Sequence, residues 1–306
     1  MQTWTYKPQN RQDVSAFALT QDGNNSRIQE IGLRALAVLV ANLPELRPRR
    51  IDLRRASPYL GEWGFEKTDL RMLAPRPGNG FLRALSTRDY ELLRPHLASV
   101  ELEQYAILFS ADDKITQAYF PYDCLISLLV PLSDGETAAV AVVGHNGVVG
   151  SSAALGAPQA INDAVVSIPG SAAAIDMAAL TKAAKGSESL RHWLFRHCHF
   201  NRAFAQQGAV CLAKHSTCAR LCRLLMRIYD FTGRTEFRIT QEFLARMLGV
   251  QRVSVTLATK RLRHSGHITF RRGHIQIVAV EAIEQAACEC YQAVNDKQTM
   301  LLESWP

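Results

Sequence analysis

The segment ITQEFLARMLGVQRVSVTLATKRLRHSGHITFRRGHIQIV, residues 239–278, decides the fold. It predicts a short helix that begins at Thr240, a tight turn at Gly249 and a second helix that ends at Gly266. The second helix is basic in its C-terminal half. Two helices joined by so short a turn are typical of a helix-turn-helix.

The spacing within this segment supports the same interpretation. Ala245, Gly249 and Val255 stand at offsets 0, 4 and 10. They supply a small residue where the helices cross, a glycine able to turn, and an apolar residue that holds the second helix. Beyond Gly266, alternating apolar residues on both sides of Arg272–Gly273 predict a two-stranded wing. The segment therefore predicts a winged helix-turn-helix.

Positive charge is concentrated around this segment. Residues 215–280 carry 12 Lys and Arg against 3 Asp and Glu, a net charge of +9, whereas the whole chain carries +7. Clustered basic residues are typical of a protein that binds a polyanion, although many basic runs are simply solvated faces. Combined with the helix-turn-helix pattern, the charge predicts double-stranded DNA as a partner.

Residues 101–175 have the pattern of many short strands. The strand candidates are YAILF, AYF, CLISLLVPL, ETAAVAVVG, DAVVSI and AAAID. Asp134–Gly135, between two apolar runs, predicts a hairpin turn. Short strands at this spacing indicate an antiparallel sandwich or barrel.

The period becomes helical from Ser187, where a helix of about 27 residues, ~40 Å long, is predicted. Apolar and small residues recur along it at near-helical spacing: Leu190, Leu194, Cys198, Phe204, Ala205, Gly208, Cys211 and Leu212. Such a stripe often packs against a copy of itself. A further helix is predicted between Ser216, as its cap, and Gly233.

Composition places the chain among globular proteins. It has 306 residues, of which 47% are hydrophobic and 21% charged. No apolar run approaches the roughly 18 residues of a membrane helix, and the polar start MQTWTYKPQN is unlike a signal peptide. We therefore expect a cytoplasmic protein with no membrane partner, whose seven cysteines do not form a disulfide scaffold.

Residues 77–294 resemble the Crp/Fnr family of bacterial transcription regulators. The quoted segment is similar to that family's DNA-binding module, and YFPYDCLISLLVPLSDGETAAVAVVGHNGVVG is similar to its β-roll. NGFLRALSTRDYELLRPHLASVEL looks like its opening helices. The resemblance implies an α+β fold and a homodimer that binds an inverted-repeat operator; RNA polymerase is a further expected partner.

The resemblance also implies a division of the chain. We expect a β-roll sensor domain over 78–186, a dimerisation helix over 187–214, a winged helix-turn-helix domain over 215–280 and a C-terminal tail over 281–306. Residues 1–77 match nothing in the family. Our hypothesis is that 1–71 is translated upstream sequence or a loosely ordered extension, since Met72 precedes the family-like part; the alternative is a basic arm that contacts phosphates.

The recognition helix, residues 251–264, departs from the family pattern. That pattern has an arginine, an acidic residue after it and a second arginine four positions further on. Arg252 matches the first, but Val253 and Leu257 occupy the other two positions. Because Val255, Ala258 and Leu262 supply the inward face, Val253 and Leu257 are predicted to face outward. They would pack on thymine methyl groups, or else lie exposed or cover a neighbouring loop.

The remaining DNA contacts follow from residue type and position. Arg252 is the candidate for bidentate recognition of guanine. Arg271 and Arg272 at the wing are expected to hold phosphates, which positions the protein without reading sequence. The predicted DNA-binding residues are Gln251, Arg252, Val253, Ser254, Thr256, Leu257, Lys260, Arg261, Arg271 and Arg272.

The predicted sensor domain lacks the residues that bind cyclic nucleotides in the family. Gly150 is followed by Ser151 where the family has glutamate, and Asn162–Asp163 replaces an Arg-Ser pair. A carboxylate at the site where the nucleotide phosphate would bind would repel that phosphate. Cyclic AMP is therefore not expected as the ligand; the roll binds an unidentified effector or none.

No catalytic, cofactor or metal site is predicted. The sequence has no GxSxG, P-loop, HExxH or Gly-rich dinucleotide motif, so an enzyme is not expected. The candidates for metal or redox chemistry are Cys218 with Cys222, Cys288 with Cys290, and the histidines of HWLFRHCHF. Buried, inert thiols and packing or solvated histidines are the favoured interpretations. The alternative to a DNA-binding regulator is an effector- or partner-binding sensor in which DNA binding is secondary.

Overall fold

The computed structural model describes residues 78–303, with side chains as far as Met300. The predicted extension, residues 1–77 with Met72, lies outside the described residues. The described chain begins with an antiparallel β-roll. Its strands are β1 (Ala98–Leu102), β2 (Ile107–Phe109), β3 (Gln117–Pro121), β4 (Leu125–Pro131), β5 (Thr137–Val143), β6 (Asp163–Ile168) and β7 (Gly170–Asp176). They form two sheets, with strand orders β1-β7-β3 and β2-β6-β4-β5.

Each predicted strand segment contains a strand, but β1 was missed. β1 lies in a stretch assigned to the opening helices and pairs with β7 from Ala98↔Ala174 to Leu102↔Gly170. Only its last residue is buried, so it has no apolar run that would mark it as a strand. β4 and β5 form the predicted hairpin. Gly135 has a φ of +83°, and the Asp134 carboxylate accepts the N–H of Glu136 at 3.0 Å.

Short helices close the roll. They are α1 (Gly80–Ala84), α2 (Thr87–Leu93), α3 (Ser151–Ala154) and α4 (Met177–Gly186). The fully buried Asn79 caps α1 by accepting the N–H of Leu82. Its amide also donates to the carbonyl oxygens of Pro121 and Gly147, both at 2.9 Å. A buried polar side chain with all these partners ties α1 to the sheet without a desolvation penalty.

The predicted long helix is present as α5 (Glu188–Lys214), 27 residues long, with Ser187 as its N-cap. Half of the stripe noted in the sequence is not free to meet a second chain. Leu190, Leu194, Phe204 and Cys211 are buried within the protomer, whereas Leu212 is 50% exposed. Part of the face from which self-association was argued therefore packs against this chain's own domains.

The C-terminal module contains the predicted helices and one additional strand. Its elements are α6 (Thr217–Thr232), β8 (Glu236–Arg238), α7 (Gln241–Leu248), α8 (Arg252–His264), β9 (Ile268–Arg271) and β10 (His274–Ile277). The prediction of a two-stranded wing was incomplete, because β8 pairs with β10 and makes a three-stranded sheet of order β8-β10-β9. With three residues, of which only Phe237 is buried, β8 carries too short a pattern to recognise.

The region called a tail in the sequence forms two helices. α9 (Val280–Ala286) packs on α6, and α10 (Cys290–Glu303) packs on α5 and α6. Tyr291 and Val294 of α10 are buried. No helix is predictable here from the sequence alone, because the burial of these residues depends on helices far away in the chain.

The β-roll and the winged module share one hydrophobic core. Leu129 of β4 and Leu225 and Phe231 of α6 belong to the same buried cluster. Gly144, at the end of β5, is required there because a Cβ would lie 2.3 Å from the ring of Phe231. Among the helices of residues 78–303, none combines the length and apolar character needed to cross a membrane.

Candidate nucleic-acid interface

Local sequence signals set the two helices of the helix-turn-helix. Thr240 caps α7 by accepting the N–H of Phe243 at 3.1 Å. Gly249 ends α7 with a φ of +57°, a left-handed conformation that favours glycine. Ala245 and Val255, predicted to lie at the crossing, are buried at 5% and 0% exposure. Ala245, Gly249 and Val255 thus have the small, turning and buried roles predicted from their spacing.

The recognition helix α8 has the two faces predicted for it. Val255, Ala258 and Leu262 are buried, whereas Val253 and Leu257 are 59% and 65% exposed. Large apolar groups on the outer face of this helix are thus open to a partner.

Most of the predicted DNA-binding residues are exposed. Those with exposed side chains are Gln251, Arg252, Val253, Thr256, Leu257, Lys260, Arg261, Arg271 and Arg272. Ser254 is half-buried at the start of the helix. Between Gly249 and Ala279 the sequence contains six Lys and Arg and not one Asp or Glu. The helix and wing therefore present a basic surface with no carboxylate on its own elements.

One polar contact at this surface was missed in the sequence. The Thr256 hydroxyl lies 3.0 Å from Gln241 Oε1 and 3.1 Å from the carbonyl oxygen of Arg252. Gln241, the first residue of α7, also points its amide toward Thr259 at 3.4 Å. Thr256 is thus engaged within the protein, and the Gln241 amide stands beside it at the helix-turn-helix surface. The sequence signal that could have indicated this contact is Gln241, a polar residue at the first position of α7.

The wing and the recognition helix enclose a basic groove. Lys260, Arg263 and His264 of α8 line one side, and Arg271 of β9 lines the other. Arg263 and His264 were not among the predicted contacts, although they follow Lys260 by one turn. At the wing tip, Arg272 and Gly273 have φ values of +49° and +77°, as a two-residue hairpin turn requires. This turn directs Arg271 and Arg272 outward next to the helix.

Two buried arginines of α6 make contacts that stabilise the winged module. Arg220 of α6 donates to the carbonyl oxygen of Leu248, at the end of α7. Arg227 lies over the rings of Phe204, Phe231 and Tyr291 at 5.9, 5.6 and 5.5 Å. Burial lowers the pKa of Arg227 to about 10, so it remains charged at neutral pH. The contacts of Arg227 with Phe204 and Tyr291 link the module to α5 and α10.

The winged module also contacts the β-roll through polar groups and rings. Arg234 pairs with Asp123 at 2.8 Å, and the amide of Gln104 donates to the carbonyl oxygen of Arg238 at 2.7 Å. Hydrogen bonds from Ser171 together with Arg234 outweigh the opposing effect of burial and hold the pKa of Asp123 below its usual value. The ring of Tyr105 lies 5.1 Å from that of Phe243 in α7. A change in the roll is therefore positioned to act on the DNA-binding module.

The two positions at which the sequence departs from the expected cyclic-nucleotide pattern make contacts within the protein. The Ser151 hydroxyl lies 3.4 Å from His197 Nδ1 and 3.2 Å from Cys198 Sγ. The Asp163 carboxylate accepts the N–H of Ala111 at 2.8 Å. Both substituted positions thus have structural partners.

The histidines of HWLFRHCHF are not brought together. His197 is buried, accepts the N–H of Val148 through Nε2 at 3.2 Å, and burial lowers its pKa to about 4. His192 and His199 are exposed. Of the cysteine candidates, Cys288 and Cys290 lie beside Cys211 and His215, an arrangement considered below.

Comparisons with known proteins agree with this geometry. Residues 219–286 match the family described as the Crp-like helix-turn-helix domain. FixK2 of Bradyrhizobium japonicum is 15% identical, with 63% of this chain and 98% of that chain aligned and a TM-score of 0.54. The c-di-GMP-responsive regulator CLP of Xanthomonas campestris is also 15% identical, covering 63% and 99%, at 0.52.

A CRP-family transcriptional regulator of Thermus thermophilus is 17% identical, with 61% of this chain and 96% of that chain covered, at a TM-score of 0.51. A search of curated protein sequences gives no significant match. The expected resemblance is confirmed: the described chain has the α+β fold of Crp/Fnr regulators, with a C-terminal Crp-like helix-turn-helix domain.

Proposed function

From a chain with the fold of Crp/Fnr transcription regulators and a Crp-like helix-turn-helix domain, we propose that this protein is a sequence-specific, double-stranded-DNA-binding transcription regulator. The observation that carries the proposal is the exposed face of α8, which is basic, free of carboxylates and flanked by a basic wing. Lys and Arg that neutralise phosphates release condensed counterions and so supply affinity. RNA polymerase as a partner and a cytoplasmic location stay predictions.

The proposed reading of sequence combines one arginine with two apolar side chains. Arg252, early on α8, binds a guanine edge through its two-pronged guanidinium. Val253 and Leu257, 59% and 65% exposed, pack on thymine methyl groups on the same face. Lys260, Arg263 and Arg271 line the groove that holds the phosphate backbone. The preferred half-site then contains both a G·C pair and thymines.

The regulator acts as a homodimer in this proposal. α5 leaves two large apolar side chains exposed on one side: Phe195 at 61% and Val210 at 54%. They are 15 residues apart, so they lie within about 60° of each other around the helix axis. Two copies joined along this face present two recognition helices to an inverted repeat with half-sites about one helical turn, ~34 Å, apart.

Control by cyclic AMP is not part of the proposal. The positions that would hold the nucleotide phosphate have Ser151 and Asp163. The Ser151 hydroxyl contacts His197 of α5, and the Asp163 carboxylate accepts the N–H of Ala111 in the roll. In its present position, the Asp163 carboxylate would repel the nucleotide phosphate. Moving the side chain away would break its hydrogen bond to the N–H of Ala111. The effector is another molecule, or the dimer binds DNA without one.

The proposal is tested by selecting bound duplexes from a random DNA pool with the purified full chain and no added ligand. An enriched inverted repeat supports a dimeric regulator. Enrichment that appears only with added cyclic AMP would contradict the reading of Ser151 and Asp163. Salt-sensitive binding without any enriched sequence would favour the alternative, a sensor in which DNA binding is secondary.

A further inference from the structure

Three cysteines and a histidine meet at the junction between α5 and α10. Cys211 lies in the last turn of α5, and His215, four residues later, is the residue that caps the C-terminal end of this helix. Cys290 begins α10, and Cys288 precedes it by two residues. One ligand atom from each of the four lies within 4.8 Å of every other. The Sγ atoms of Cys211 and Cys288 are 3.4 Å apart, and Cys290 Sγ is 3.5 Å from His215 Nδ1.

We propose that Cys211, His215, Cys288 and Cys290 form a tetrahedral zinc site. Zinc–sulfur bonds of about 2.3 Å and zinc–nitrogen bonds of about 2.0–2.1 Å in tetrahedral geometry place sulfurs about 3.8 Å apart and a sulfur and nitrogen about 3.5 Å apart. The Cys211–Cys288 distance of 3.4 Å and the Cys290–His215 distance of 3.5 Å are close to these values, and no pair of donors is more than 4.8 Å apart. An iron–sulfur cluster spreads its thiolates around several iron atoms, so four donors this close to one another favour a single ion.

Groups around the four donors are arranged as supporting contacts. The amide of Gln207 donates to Cys290 Sγ at 3.1 Å, and Gln207 is itself held by Lys297 at 3.0 Å. With His215 Nδ1 turned to the sulfurs, its Nε2 lies 3.7 Å from the Glu289 carboxylate. Histidine ligands of metals commonly donate their second ring N–H to a carboxylate, which fixes the tautomer and ring orientation.

Burial and charge fit the same ion. Cys211, Cys288 and Cys290 are 0%, 7% and 1% exposed and form a buried cluster of their own. Three thiolates and one neutral histidine around Zn²⁺ carry one net negative charge. A cluster whose three thiols are buried is suited to hold such a complex away from solvent.

The ion would set how the winged module sits on the long helix. Cys211 and Cys288 are 77 residues apart, and the segment between them contains the whole winged helix-turn-helix. The junction between α5 and α6, at His215 and Ser216, lies within the segment that the ion would close between Cys211 and Cys288. Zinc would therefore fix this junction, a consequence for DNA binding that rests on the function proposed above. The ion itself can be tested without DNA.

The first test measures metal in the purified full chain. The protein is produced in zinc-supplemented medium, purified under reducing conditions, and analysed by elemental mass spectrometry. We expect one zinc per chain. After metal removal, titration with Co²⁺ alone should give the visible absorption of tetrahedral thiolate-bound cobalt, saturating at one equivalent. A wild-type chain that retains no metal and takes up no cobalt would overturn the proposal, as would iron with inorganic sulfide.

Variants locate the ion. Cys288→Ser combined with Cys290→Ser should abolish zinc and cobalt binding, whereas Cys198→Ser, a half-buried thiol outside the cluster, should keep both. Gln207→Ala should weaken zinc affinity roughly 10–100-fold, as expected for loss of a supporting contact. Gln206→Ala, its exposed neighbour, is the matched control. Full zinc retention in the double variant, or a Cys211–Cys288 disulfide as the only product, would contradict the site.

Failure of the metal site and failure of the DNA proposal are distinguishable. If zinc is present but no duplex is enriched, the site stands and the regulator function does not. If zinc is absent and an inverted repeat is still enriched, the reverse holds. If both stand, zinc removal should weaken operator binding, and adding Zn²⁺ back should restore it for the wild type but not for the double Ser variant.

Discussion

At the scale of single residues, Arg252 and Arg272 should have different effects on DNA binding. Arg252→Ala is expected to cost about 1–3 kcal/mol on the preferred site and to relax the choice of base at one position, because it removes a base contact. Arg272→Ala should weaken binding to all DNA sequences alike. It should also reduce the slope of log affinity against log salt concentration by about one. Binding of both variants to the selected site and to single-base variants of it, across salt concentrations, separates the two roles.

Leu257 offers a direct test of thymine reading. Replacing one contacted thymine by deoxyuridine removes only the methyl group, which at about 0.8 kcal/mol per buried carbon should weaken wild-type binding roughly fourfold. Leu257→Ala should bind less tightly and be indifferent to that replacement. Scanning each thymine of the half-site in both proteins finds the contact. Equal sensitivity of the two proteins at every position would show that Leu257 reads no thymine.

The pKa of His197 predicts how stability depends on pH. Burial lowers this pKa to about 4, so the folded state resists the proton that an unfolded chain accepts near pH 6.5. Stability should therefore fall as pH decreases from about 6.5 to about 4, by up to about 3 kcal/mol from this group, and level off below. Denaturant unfolding across that range measures it.

The matched variant for this prediction is His197→Gln, which keeps an acceptor for the N–H of Val148. The stability of the variant relative to the wild type should increase as the pH falls from 6.5 to 4, because only the wild type loses stability through His197. A difference that stays constant over this range would contradict a buried, neutral His197.

At the scale of elements, local signals explain what could be predicted. The helix-turn-helix was predictable because Thr240 and Gly249 mark helix ends and Ala245 and Val255 mark the crossing, all within a short stretch. β8 and the helices of 281–303 were not, because their burial comes from distant parts of the chain. The cluster of Cys211, His215, Cys288 and Cys290 was missed for the same reason: its CxxxH and CxC pairs are weak alone, and only folding brings them together.

The docking of α7 on the roll predicts that the two halves unfold together. They share one core, and Tyr105 contacts Phe243 across the junction. Tyr105→Ala should lower the midpoint of a single cooperative transition, with a cost of about 1 kcal/mol or more from the lost ring packing. Leu132→Ala, exposed in the β4–β5 loop, is the control and should change little. Two separate transitions in the wild type would contradict a shared core.

At the scale of the whole molecule, the dimer depends on the face of α5 that its own chain leaves open. Phe195→Ser should shift the protein toward monomer and reduce operator affinity, whereas Leu132→Ser, which also replaces an exposed apolar residue, should leave the dimer intact. Light scattering after size-exclusion chromatography gives the mass of each. A wild type that is monomeric both alone and on its operator would contradict the dimer.

Recognition of DNA by α8 is tested most directly by the selection of duplexes from a random pool by the full chain without ligand. We expect an inverted repeat, with half-sites about one helical turn apart and thymines beside the G·C pair that Arg252 contacts. Binding of the selected duplex should be lost with Arg252→Ala and Leu257→Ala combined. A pool that stays random while binding remains salt-sensitive would contradict recognition by α8.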